Sequence, residues 1–223
     1  MIRSQTGTVV PADDNDILGA IEKAGKTGID CPFGWPEDFV GFVAAHHFGH
    51  VGIPQGGMDA GWRQKLTMRR TDAFVHDKIH VMPLSVSADK TAHVALRCAV
   101  LLARLDAAGR PVDRSGAGPV VEVYPAASLR SWGLYQQGYQ QRAKPEVLGH
   151  LAEDLLAAAP WLDCGSYAQT IRRSHDVFDA VIAAMTARAP AQGQTFLPSE
   201  DNLATARAEG WIAIPNSPIG QLL

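Results

Sequence analysis

No stretch of the chain approaches the roughly 18–20 uninterrupted apolar residues that a membrane-crossing helix needs, so no spanning helix is expected. The opening residues MIRSQTGTVVPADD lack a basic head followed by an apolar run, so no secretory leader is read there and the expected compartment is the cytoplasm. Cysteine is scarce: Cys31, Cys98 and Cys164 are widely separated and form no CxxC pair. That pattern excludes a zinc knuckle and a disulfide framework and suits a reducing compartment. A basic excess is also missing, with Lys+Arg 20 against Asp+Glu 23, a formal charge of -3 and a pI near 6.2. A surface coated in base for nucleic acid is therefore not indicated, although the overall balance leaves room for a local basic groove. No GxSxG elbow, P-loop or GxGxxG occurs, which removes the commonest signatures of serine hydrolases and of nucleotide-phosphate loops.

What is present is ample material for a core: 223 residues, 46% hydrophobic and only 19% charged. The chain reads as one α/β domain over 1–223, with 51–88 as an irregular insertion. Residues 13–25 predict a helix, with acids in the first turn and Ile17, Ile21 and Ala24 on one face. KTGIDCPFGWP predicts a short strand ending at Asp30, and PEDFVGFVAAHHFGH a helix starting at Pro36. WRQKLTMRRTDAFVHDKI is amphipathic and fits helix or extended chain. A long helix is expected from about Ala88 to Ala108. PVVEVYP is the clearest strand, stopped by Pro125. PEVLGHLAEDLLAAAPWL and SHDVFDAVIAAMTARAP predict helices, the second capped by Ser174. EGWIAIP is a short apolar strand or tail that returns to the body. Strands alternating with helices imply a sheet flanked by helices.

Acids stand where a core would exclude them. Asp30 ends a strand, where open α/β sheets gather ligands, although capping the turn before Cys31-Pro32 is the plain alternative. Glu122 sits inside VVEVYP, facing opposite to Val121 and Val123; it is either a working carboxylate or the solvated face of an edge strand. Asp176 and Asp179 project from one face near the start of a helix, where Asp176 also suits the dipole and Asp179 precedes the apolar run AVIAAMTA. A helix pair plus a strand-end acid suits a hard cation such as Mg²⁺ or Mn²⁺ and phosphodiester hydrolysis. His46, His47 and His50 in AHHFGH lack the intervening Glu of an HEXXH site, so a helix-end cluster is the expectation there. Cys31 has no His partner by spacing and is not read as a nucleophile. Trp35, Trp132, Trp161 and Trp211 are read as packing rather than base-stacking platforms.

The segments GIDCPFGWP, RRTD, VVEVYPAA, HDVFDAVIAAMTARA and EGWIAIP, in that order from about Thr27 to Pro215, resemble the domain of unknown function 429 family, described as predicted ribonuclease H-like nucleases. HDVFDAVIAA also looks like the last acidic helix of Holliday-junction resolvases of the same superfamily. The resemblance implies a ribonuclease H-like mixed sheet flanked by helices, with Asp30 on its fourth strand and Asp176 and Asp179 on its last helix converging on metal. It implies that Glu122, with Tyr124 and Pro125, lies beside that site, that Arg69, Arg70 and Asp72 form an Arg-x-x-Asp-like segment, and that Lys144 stands at a basic position. Arg70 and Lys144 would then contact phosphate. One departure matters: the fold opens with a hairpin whose first strand carries Gly-x-Asp, and here there is room for one strand at most, Thr6 to Val10. The expectation is that Met1 is a late start, or that this member lacks the first strands and their carboxylate. The leading reading is a divalent-metal-dependent nuclease with Asp30, Glu122, Asp176 and Asp179 as catalytic acids. The others are an inactive ribonuclease H-like module that binds nucleic acid or a protein, and a metal-free small-molecule enzyme.

Overall fold

Local chemistry sets most helix boundaries in the computed structural model, which describes residues 2–3, 9–10, 13–88, 90–141 and 143–222. Asp13 caps helix α1 (Asp14–Lys23) by accepting the backbone N–H groups of Asn15 and Asp16, while the Asp16 carboxylate accepts the Asp13 N–H. That reciprocal box satisfies donors that a helix start otherwise leaves bare. Strand β3 (Thr27–Ile29) follows, then α2 (Glu37–His47), which begins after Pro36 as expected but buries none of its residues. The stretch 51–88 holds two further helices, α3 (Ala60–Thr67) and α4 (Arg70–Ile79), divided at Met68–Arg69. Helix α5 (Thr91–Ala107) leads to strand β4 (Val120–Glu122). Pro125, read from sequence as the end of the strand signal, opens α6 (Pro125–Ser131), because its fixed φ and missing N–H suit a first helical position. Then come α7 (Pro145–Ala158), the short α8 (Ala168–Ile171), α9 (His175–Ala191) and α10 (Leu203–Glu209). Ser174 caps α9 by accepting the Val177 N–H.

The fold is α/β with a small sheet. Strands β3 and β4 pair in parallel, Thr27 with Val120 and Ile29 with Glu122. EGWIAIP does return to the body: Ile212 bridges Glu122 in parallel, and Thr195 bridges Pro215 antiparallel beyond it. At the N-terminus, β1 (Ile2–Arg3) and β2 (Val9–Val10) pair antiparallel as a separate ribbon. This corrects the expectation of at most one strand there; of the predicted strand, Thr6 to Thr8 lies outside the described residues.

Two packing layers hold the sheet. Phe178, Ile182 and Met185 of α9 join Leu148, Leu151 and Leu155 of α7 in one core, while Ile21 of α1 and Cys98, Leu102 and Leu105 of α5 join Phe33 and Val120 in another. Each fully buried side chain of this size contributes roughly 1.5–3 kcal/mol. Helix α9 lies so close to β3 that a Cβ at Gly28 would stand 2.2 Å from the Ala183 carbonyl oxygen. That approach needs glycine.

Candidate functional site

The C-terminal end of β3 and the first turns of α9 form the walls of one cleft of about 500 Å³, with α1 on its far side. Asp30, Asp176 and Asp179 all line it. Residues 146 positions apart in sequence thus meet because α9 packs directly on β3 (Asp30 to Asp176, by their numbers). The three do not close into a cage: among the described residues no group of three His, Cys, Asp or Glu side chains is arranged to hold a metal ion.

The acids differ in environment. Asp179 is 7% exposed, and each of its oxygens is taken: Oδ1 accepts the Tyr139 hydroxyl at 2.9 Å and Oδ2 accepts the Gln140 side-chain amide at 2.9 Å. Burial pushes its carboxyl up, and the bonds from Gln140 and Tyr139 pull it back. The same contact raises the Tyr139 hydroxyl well above its usual range, burial first and the Asp179 charge second. Asp30 is exposed as a residue, yet it lines the cleft, where desolvation of its carboxyl, followed by the charges of Asp179 and Glu122, pushes it up to about 7. Asp176 is a rim group, its side chain 81% exposed and 3.3 Å from His175 Nδ1.

Asp30 has a consequence for stability. Its folded proton affinity lies above the unfolded value of 3.8, so the folded state takes up the proton first. Stability therefore rises as pH falls through about 7 and the gain is complete near the unfolded value. In urea melts from pH 8 to pH 5, Asp30→Asn is expected to flatten this rise. An unchanged slope in the variant would contradict the assignment.

Glu122 is neither a solvated edge residue nor an open carboxylate, and this corrects the edge-strand reading. It is 2% exposed. Its Oε1 accepts Arg69 Nη2 at 2.7 Å, and its Oε2 accepts Arg69 Nη1 and the Phe33 N–H, each at 2.9 Å. Arg69 also grips Asp72, Nη2 to Oδ1 at 2.8 Å and Nε to Oδ2 at 3.1 Å. Burial alone would lower the Arg69 guanidinium, but the charges of Glu122 and Asp72 outweigh it and hold the group above its ordinary range. A charge buried inside a β-branched strand needs a countercharge, and the RRTD segment supplies it. Gly210, at φ 93°, lets the chain pass this pair: a Cβ there would lie 2.5 Å from Glu122 Oε2. Glu209 accepts the N–H of Glu37 at 2.9 Å and of Arg70 at 2.6 Å, so it serves the starts of α2 and α4 together.

The two basic residues assigned to phosphate do not line the acid cleft. Arg70 is exposed beside a larger cleft of about 1080 Å³, with Trp62 and Lys65. Lys144 is exposed at the start of α7. The histidines of AHHFGH stay on the surface, His46 stacked on Phe42 and His47 edge-on to Phe48. Cys31 is buried against Cys98; that thiol contact, then burial, pushes its thiol far up, which suits packing and not nucleophilic attack. Trp211 is buried and Trp35, Trp132 and Trp161 are half-buried. Sequence reasoning missed Tyr139 and Gln140, which lie in the loop LYQQGYQQ and carry no local signal for their partner. The pairing of Arg69 with Glu122 was within reach, since a Glu flanked by buried valines demands a cation.

Residues 8–203 match the family model described as Protein of unknown function (DUF429). No curated protein and no solved structure matches the chain.

Proposed function

We propose, from the premise that this chain belongs to the DUF429 family, that it is a divalent-metal-dependent nuclease with a ribonuclease H-like fold. The observation that supports this reading is the single cleft in which Asp30 and Asp179 face each other's charge with Asp176 at the rim. The parallel pair β3–β4, with an acid at the end of β3 and the acidic helix α9 packed across it, supports the fold part of this reading.

The donor set suits a hard cation in kind. Both carboxylates offer oxygen, and Mg²⁺ commonly takes only one or two carboxylates, the rest coming from water and substrate phosphate. Asp30 and Asp179 would hold it, and Asp176 would reach it from the rim. Bound there, Mg²⁺ or Mn²⁺ supplies Lewis acidity toward a phosphoryl oxygen. The chain's own residues do the remaining work. Tyr139 and Gln140 keep Asp179 in one orientation with both oxygens aimed. Glu122, locked by Arg69, fixes the end of β4 beside Asp30 and contributes through position. Arg70, with Trp62 and Lys65, and Lys144 are the groups offered to nucleic-acid phosphate outside the cleft.

The test is cleavage of labelled single-stranded, duplex and branched substrates with Mn²⁺ or Mg²⁺. Asp179→Asn is expected to lower the rate at least about 100-fold, which corresponds to about 2.7 kcal/mol. Cleavage that survives this substitution removes the mechanism. A second reading, an inactive module that binds nucleic acid or a protein, is favoured because among the described residues no three acids stand close enough together to hold a metal ion. Binding of the same substrates without cleavage under any metal selects it.

A further inference from the structure

A different set of charges has no role in anything above. Lys78, in the last turn of α4, and Arg130, in the last turn of α6, line one cleft of about 610 Å³ with Trp132, Phe196, Asn216 and Ser217. Among the described residues neither cation has a salt bridge or donates a hydrogen bond. Each only overlies a ring: Lys78 Nζ is 4.6 Å from the centre of Phe196, and the Arg130 guanidinium is 5.8 Å from the centre of Tyr135. Other arginines, Arg97, Arg172 and Arg207, have carboxylate partners. No carboxylate is among the residues lining this cleft. The carbonyl end of a helix attracts positive charge, and that accounts for each cation singly. It does not account for two cations from separate helices facing one cleft whose wall carries no acid.

We infer that this cleft binds a small phosphate monoester. Lys78 and Arg130 meet the phosphate, the fork of Arg130 matching two of its oxygens and the ammonium of Lys78 adding a point charge. The Asn216 side-chain amide adds a polar donor at the mouth, where the residue is exposed. Phe196, Trp132, Ile79 and Ile219 offer apolar wall to the organic part. A monoester at neutral pH carries close to two negative charges, which match the two cations, whereas a ligand with one carboxylate would leave one cation unmatched.

The test is calorimetric titration of the full chain with inorganic phosphate, adenosine 5′-monophosphate, adenosine and a short single-stranded oligonucleotide, in the absence of divalent metal. The monophosphate is expected to bind with a Kd at or below about 1 mM, to weaken as salt is raised, and adenosine to give no heat. The double variant Lys78→Gln, Arg130→Gln is expected to weaken binding at least about tenfold with an unchanged melting temperature, since both side chains are on the surface. Equal affinity of adenosine, equal affinity in the double variant, or no heat from the monophosphate at about 10 mM overturns the inference. Binding of inorganic phosphate without the monophosphate, or of the oligonucleotide alone, also overturns it. None of these outcomes depends on nuclease activity.

Discussion

Replacing Arg69 with methionine is expected to cost about 3–5 kcal/mol of folding free energy, because it leaves Glu122 and Asp72 buried with no countercharge. The guanidinium is 2% exposed and makes four short contacts to two carboxylates, Glu122 and Asp72. Water cannot replace it, since Glu122 and Asp72 are as deeply buried as it is. For a domain of this size the loss corresponds to a fall in melting temperature of roughly 10 °C. The control is Arg97→Met, which removes an exposed pair with Asp14 and is expected to cost at most about 1 kcal/mol. Urea unfolding measures both. Equal costs for the two variants would mean that the cluster is not the electrostatic centre of the fold.

Gly28→Ala is expected to cost about 3 kcal/mol, the upper part of the range for overpacking. The new methyl would meet the Ala183 carbonyl oxygen at 2.2 Å and Val123 Cγ2 at 2.9 Å. Ala183 is backbone inside α9, so it cannot rotate away as a side-chain tip would. Either α9 slides off β3 or β3 shifts from β4. Both outcomes separate Asp179 from Asp30, so under the nuclease reading activity falls further than stability alone accounts for. A melting temperature within 2 °C of the parent, about 0.5–1 kcal/mol, would show that the contact yields without strain.

Much of the fold was legible because its signals are local. Asp13 and Ser174 mark helix starts by their own hydrogen bonds, and Val120–Glu122 is strand because β-branched residues crowd between Gly118-Pro119 and Pro125. Pro125 does stand past the end of the strand, and the helix it opens went unread because one residue serves both roles. The 62–79 segment was ambiguous because no single buried face runs through it: α3 buries none of its residues, whereas α4 buries Thr71, Asp72 and Val75. Of the candidate site, the three aspartates could be named from their positions at a strand end and a helix start. Their environments could not. That Asp179 is sequestered by Tyr139 and Gln140, and that Glu122 belongs to Arg69, are facts of packing between segments 39 to 53 residues apart.

Glu209 joins distant parts of the chain through one carboxylate. Helix α2, which contributes no side chain to the core, and helix α4, which carries Arg69 at its head, both anchor their first N–H groups on it. One carboxylate therefore ties the starts of two helices that wall the cleft beside Trp62 and Lys65, so a change at Glu209 is felt in α2 and α4 together.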